Sequence, residues 1–134
     1  MARPSRTVAD RPISPHLSVY RFNWTMAMSI AHRISGVACY AALPLFVIWL
    51  WTIADGAETY DRLGALASSW FGITVLLGLS WAVIHHSVGG VRHIVWDTGT
   101  GLGDPARYRW AQGTLIGSLA LTALLWLGVL IGGF

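Results

Sequence analysis

The sequence predicts an all-α membrane protein built on three transmembrane helices. Three observations lead there. The chain is 54% hydrophobic and only 11% charged, where an ordinary soluble domain carries about 25% charge. Its mean hydropathy is +0.56. It also contains three apolar stretches, each long enough to cross a hydrocarbon core of about 30 Å. With 134 residues the chain is one domain at most. Residues 1–134 read as a single membrane-anchor unit with a polar segment at 1–23 and helices at about 24–53, 66–95 and 110–134.

The N-terminal segment is polar and rich in arginine, with Arg11-Pro12-Ile13-Ser14-Pro15-His16 at its middle. Its two prolines forbid a regular helix and favour extended, polyproline-like backbone. Composition alone makes it a solvated tail, although Leu17, Val19 and Tyr20 are apolar enough to dock on a surface. It lacks the apolar core of a signal peptide and is expected to persist in the mature protein.

The first helix begins near Trp24–Met28 and runs to about Ile53. Ser29, His32, Arg33 and Gly36 stand at i, i+3, i+4 and i+7, so they share one face. From Ile34 to Ile53 no charged residue appears, and Pro44 predicts a kink. The polar stripe therefore occupies only the first turns, at one membrane edge. A snorkelling Arg33 explains the cation but not Ser29 and His32 beside it. Asp55–Arg62 reads as a short acidic loop.

The second helix, about Leu66 to Val95, carries the stretch around which the chain is organised, His85-His86-Ser87-Val88-Gly89-Gly90-Val91-Arg92-His93. Imidazole in hydrocarbon calls for a reason. His86 and His93 are seven residues apart and share a face, about 10 Å apart along the axis. Ala82, Gly89 and Gly90 sit at i−4, i+3 and i+4 from His86, leaving room for something flat and wide, such as a porphyrin. The simpler alternative is that the histidines bond neighbouring helices and the glycines permit close packing. In the third helix, about Trp110 to Phe134, Gly113-x-x-x-Gly117 and Gly128-x-x-x-Gly132 fall on one stripe. Such a stripe is a close-packing face against another transmembrane helix.

All nine positive residues are arginine. Arg3, Arg6, Arg11 and Arg21 lie on the tail, Arg107 and Arg109 between helices two and three, and Arg92 at the end of helix two. The other loop carries Asp55, Glu58 and Asp61 against Arg62. The positive-inside rule then puts the N-terminus and second loop in the cytoplasm, or in a mitochondrial matrix, and the C-terminus across the membrane. The arginines do not point to nucleic acid, because the patches are short and no stacking-aromatic or phosphate-binding motif accompanies them. Cys39, the only cysteine, excludes an intrachain disulfide and a self-contained iron–sulfur centre.

This topology brings Ser29, His32, Arg33, Arg92 and His93 to one depth, with His86 about two turns deeper. A haem standing on edge has that requirement: iron in the low-dielectric interior and propionates reaching cations near the surface. Only one axial ligand is well placed, since His86 and His93 share a helix face and His85 is about 100° around from His86. A six-coordinate haem needs a histidine from another chain, and three helices are a thin wall for a porphyrin. A second membrane subunit, in a multi-subunit helical bundle, is implied. A channel with a histidine proton relay would instead spread polar residues across the membrane, and here they gather at one side.

Arg11-Pro12-Ile13-Ser14-Pro15-His16-Leu17-Ser18-Val19-Tyr20, then Ser29-Ile30-Ala31-His32-Arg33-Ile34-Ser35-Gly36, then His86 through Arg92-His93-Ile94-Val95-Trp96-Asp97 resemble the cytochrome b membrane-anchor subunits of succinate dehydrogenase (respiratory complex II). Their order, separation and three-helix context match over nearly the whole chain, least in the acidic loop and helix three. The resemblance implies a second, smaller anchor subunit sharing one haem b, an iron–sulfur subunit and a flavoprotein subunit. Together they form a succinate:quinone oxidoreductase in the bacterial cytoplasmic or mitochondrial inner membrane, of which this chain is a non-flavin subunit inactive alone. It further implies His86 as axial iron ligand, His32, Arg33 and His93 around the propionates, and Ser29 and Arg33 at the quinone pocket. His85 departs from the family pattern and leaves two adjacent histidines as candidate ligands, with the Gly89 and Gly90 spacing favouring His86. The alternative is a haem-free structural anchor of a related fumarate reductase-type complex.

Overall fold

The computed structural model describes residues 14–19 and 21–132. Four α-helices follow a short 3-10 turn at Leu17–Val19: α1 Trp24–Asp55, α2 Ala57–Ala67, α3 Trp70–Asp97 and α4 Ala106–Gly132. There is no strand among the described residues. Three of the helices, α1, α3 and α4, are long and apolar enough to cross a membrane, and the chain is an integral membrane protein. The Arg11–Ile13 part of the proline motif, Tyr20, and the tail arginines Arg3 and Arg6 lie outside the described residues.

Local chemistry sets the helix boundaries. Asn23 caps α1, its side-chain oxygen accepting from the Met26 amide at 3.0 Å and the Thr25 hydroxyl at 2.7 Å, as a short polar side chain does for the orphan donors of a first turn. The helix then continues through Pro44. At Gly56 the backbone takes φ +126°, and α2 begins at once. The stretch expected to be an acidic loop is therefore helical. Glu58 and Arg62 pair at i,i+4 across 2.5 Å, while Tyr60, Leu63, Gly64 and Ala67 follow one face at i, i+3, i+4 and i+7. Ser69 caps α3, accepting from the Gly72 amide at 3.1 Å, so α3 starts at Trp70 rather than Leu66. Asp104-Pro105 precedes α4, which starts at Ala106 rather than Trp110. There Arg107 pairs with Asp104, an acid at a helix N-terminus.

In the bundle α3 packs against both α1 and α4, and α1 also touches α4. Its interior is small and polar. Met28, Ala82 and Ala111 are the buried apolar residues among those described, beside Ser35, Thr52, His85, Arg92, Thr114, Ser118 and Thr122. The hydroxyls of Thr114, Ser118 and Thr122 return to carbonyls of their own helix, which lets backbones approach without orphaned donors. Between α3 and α4, His85 Nδ1 meets Ser118 Oγ at 3.0 Å, and Trp126 Nε1 donates to Ser80 Oγ at 2.9 Å. Leucine, isoleucine and valine side chains, with Trp24, Trp49, Trp51, Trp70 and Trp110, face outward, as lipid contact requires. The glycine stripe of α4 also faces outward. A Cβ added at Gly113, Gly117, Gly128 or Gly132 meets no atom within 4 Å, so this surface takes no part in packing within the chain.

Candidate functional site

The polar stripe of α1 and the histidines of α3 meet where the two helices pack. His32 from α1 stacks on His86 from α3, with ring centroids 4.1 Å apart and planes 15° from parallel. His93, two turns along α3, brings its ring to 5.2 Å from His32 and lies edge-on to Trp96 at 5.5 Å. Three of the residues singled out in the sequence are thus one cluster. Two local features allow it. A Cβ at Gly36 would stand 2.8 Å from His86 Cε1, and a Cβ at Gly89 would run into the His32 ring. Only glycine admits imidazoles so close to both backbones.

This corrects one expectation. The space beside His86 at Gly89, read as room for a porphyrin, is filled by the His32 ring. Gly90, by contrast, has open space at its Cβ position.

The two adjacent histidines are divided between the two helix seams. His85 faces α4. Its exposure is 0%, its Nδ1 meets Ser118, and its ring stacks on Trp81 at 4.9 Å. The simpler alternative, a histidine bonding a neighbouring helix, describes this residue. His86 faces α1 and is only half-buried. Its Nδ1 lies 3.1 Å from the His32 carbonyl, and a carbonyl can only accept. Nδ1 therefore carries the proton and Nε2 the lone pair. Ser35, fully buried, supports the same point: its hydroxyl donates to the His32 carbonyl at 2.8 Å and lies 3.4 Å from His86 Nδ1. An imidazole held through Nδ1–H on a carbonyl, with Nε2 free, is arranged as metal-ligating histidines are.

The surroundings are cationic. Arg92 is buried at 3% exposure, its guanidinium carbon 5.0 Å over the Trp96 ring. Arg33 is exposed and Ser29 half-buried on the outer turns of α1. The Arg62–Glu58 and Arg107–Asp104 pairs are the ion pairs among the described residues, so neither Arg33 nor Arg92 has a carboxylate partner there. A cluster of imidazoles beside the Arg92 guanidinium, with no carboxylate partner for it among the described residues, suits an anionic ligand. Ser29 is in the second turn of α1, and Asn23 already fills the capping position. Its hydroxyl is therefore not a cap.

Sequence reasoning missed Ser35, the seat at Gly36 and the Ser118 partner of His85. Ser35 stands at i+3 from His32, so spacing could have found it; Gly36 was already on that face, but not as the seat of a ring from α3. Ser118 stands in a Thr114, Ser118, Thr122 run at i, i+4 and i+8, a polar spacing that could have found it.

Residues 7–125 match the family described as succinate dehydrogenase/fumarate reductase transmembrane subunit. The chain is 34% identical over 115 residues to the succinate dehydrogenase cytochrome b556 subunit of Paracoccus denitrificans, covering 86% of this chain and 88% of that one. To the mouse (Mus musculus) mitochondrial succinate dehydrogenase cytochrome b560 subunit it is 33% identical over 119 residues, covering 86% and 68%. To the cytochrome b556 subunit of Rickettsia felis it is 33% identical over 116 residues, covering 87% and 90%.

Proposed function

Because the chain belongs to the succinate dehydrogenase/fumarate reductase transmembrane-subunit family, we propose that it is the haem b-binding anchor of a succinate:quinone oxidoreductase and helps form the quinone site. The observation that carries this reading is the His86 bond to the His32 carbonyl, which leaves Nε2 as the free lone pair.

The residues fit a haem. His86 would hold the iron through Nε2, with a second histidine from a partner anchor subunit. Arg33, which has no carboxylate partner among the described residues, and His93 would bind the propionates, with His32 holding His86 in orientation by its carbonyl and stacked ring. Haem b bound here would supply a one-electron carrier between the iron–sulfur subunit and quinone. At the outer turns of α1, the Ser29 hydroxyl and Arg33 guanidinium supply hydrogen-bond donors to a quinone carbonyl. They lie at the same membrane edge where electrons arrive and where water can deliver protons. Succinate is oxidised on the flavoprotein subunit, and this chain does not act alone. The N-terminus and the α3–α4 loop face the cytoplasm or matrix, following the arginine distribution.

The test is the dithionite-reduced spectrum of the detergent-extracted complex. His86→Ala is expected to lose the low-spin six-coordinate signature or the haem itself, while His85→Ala keeps it. Loss with His85→Ala alone moves the ligand to His85. Persistence in both variants rejects a bis-histidine site on α3, and a wild-type complex with no visible absorbance leaves the haem-free structural anchor.

A further inference from the structure

Toward the other end of the bundle, away from the histidines, α1, α2 and α3 enclose a cavity of 570 Å³ that the haem and quinone reading does not use. Its walls are almost wholly apolar: Phe46 and Trp49 from α1, Leu63 and Gly64 from α2, Val75 and Leu79 from α3. Next to it is a more open hollow of 390 Å³, lined by Ile53, Gly56, Ala57, Tyr60 and Asp61. Tyr60 borders both.

The position of this pair of cavities follows from α2. Eleven residues rise only about 16 Å, too little to cross the hydrocarbon core. One face of the helix, with Tyr60, Leu63, Gly64 and Ala67, roofs the apolar cavity, while Glu58, Asp61 and Arg62 are exposed. A short amphipathic helix of this kind lies in the membrane interface. Trp51, Tyr60 and Trp70 are all exposed around it, as an aromatic belt at headgroup depth is. The hollow beside Asp61 is then at headgroup level, and the 570 Å³ cavity opens into the acyl region.

Charge selects the headgroup. Asp61 lines the hollow, and the chain on either side of its lining residues carries Asp55 and Glu58 against Arg62, so the stretch has a net charge of −2. Arg62 is engaged by Glu58 and Asp55 accepts from the Thr59 hydroxyl. Asp61 has no ion-pair partner among the described residues. An anionic headgroup is repelled here and an ammonium is attracted. Size argues against a helix as occupant. A helix with its side chains is about 10–12 Å across, as wide as each of the three helices that already wall the cavity. A hydrocarbon chain is thin enough to enter.

We propose that the joined cavities bind one amine-headed phospholipid, phosphatidylethanolamine. An acyl chain lies in the cavity between α1, α2 and α3, the ammonium sits beside Asp61, and the Tyr60 hydroxyl meets the phosphodiester between them. The site is separate from the histidine cluster in place and in chemistry.

The test uses the assembled complex, purified in mild detergent after equilibration in bilayers of equal phosphatidylethanolamine and phosphatidylglycerol, with retained lipid counted per complex by mass spectrometry. Gly64→Leu fills the cavity without meeting backbone, since a Cβ there has no atom within 4 Å. It is expected to lower retained phosphatidylethanolamine several-fold with the haem spectrum unchanged. Asp61→Asn, on the exposed face of α2, is expected to lower the preference for phosphatidylethanolamine by about two- to fivefold, the worth of one exposed ion pair. Unchanged phosphatidylethanolamine in Gly64→Leu overturns the site. Loss of a partner subunit from Gly64→Leu with retained lipid unchanged also overturns it, in favour of a protein contact. An unchanged lipid ratio in Asp61→Asn overturns the headgroup assignment whether or not the Gly64 variant assembles.

Discussion

Gly36→Ala isolates the seat of His86 from every other property of the site. The added Cβ would stand 2.8 Å from Cε1 and 3.2 Å from Nδ1 of His86. Carbon atoms in contact settle about 3.5–4.0 Å apart, so the ring must withdraw by roughly 0.7–1.2 Å. The Nδ1–carbonyl bond, now 3.1 Å, stretches beyond hydrogen-bond range with any such movement away from α1. A hydrogen bond of this kind contributes about 0.5–1.5 kcal/mol, and removing the partner that orients a metal-ligating histidine lowers metal affinity about 10–100-fold. Helix propensity acts in the other direction, because Ala is favoured over Gly in a helix by roughly 0.5–1 kcal/mol. Haem retention and fold stability are therefore expected to separate. The assay is haem per complex after serial dilution in detergent, beside a thermal melt of the same samples. Gly78→Ala is the control, since a Cβ there meets nothing within 4 Å, and it should keep its haem. If Gly36→Ala retains haem as the wild type does, with an unshifted spectrum, the seat described here does not hold the ligand.

The other predictions concern separate parts of the chain. Ser118→Ala leaves the fully buried His85 without its partner. Interhelical bonds in membranes average about 0.6 kcal/mol and reach about 1.7, so a melt lowered by a few degrees with an unchanged haem spectrum is expected, and haem loss without a stability change would assign His85 to the iron. Ser29→Ala is expected to slow quinone reduction while leaving haem content and succinate oxidation by a soluble dye intact, and unaltered turnover and quinone affinity would remove Ser29 from the quinone site. Reporter fusions at the two ends of the chain are expected to fall on opposite sides of the membrane. Both on one side would contradict three crossings.

The membrane-spanning helices were legible because hydrophobic length is a strong, local signal, and chain reversal plus spacing bring His32 to His93, whereas the stacking of His32 on His86, expected about two turns deeper, did not follow from them. What escaped the sequence were features decided by packing across helices. Charge makes Asp55–Arg62 look like a loop, although Glu58–Arg62 and the Tyr60, Leu63, Ala67 face carry a helical period. Gly89 is small for a reason that spacing cannot reveal, because the ring that needs it is 57 positions earlier in the chain, at His32. The separate roles of His85 and His86 likewise depend on which neighbour each faces, Ser118 or the His32 carbonyl. Adjacent identical side chains carry no such information.

The small, polar interior of the bundle bears on how this protein responds to temperature. Water-soluble domains have a curved stability profile because unfolding exposes apolar surface to water and raises the heat capacity. Here Met28, Ala82 and Ala111 are the buried apolar side chains among the described residues, and when the helices part, their outward leucines and valines only exchange one hydrocarbon neighbour for another. The heat-capacity increment for separating α1, α3 and α4 within a bilayer should therefore be small. Bundle stability should fall along a nearly straight line on warming, and calorimetry should find no cold-labile limb, so that chilling the membrane-embedded protein does not loosen it.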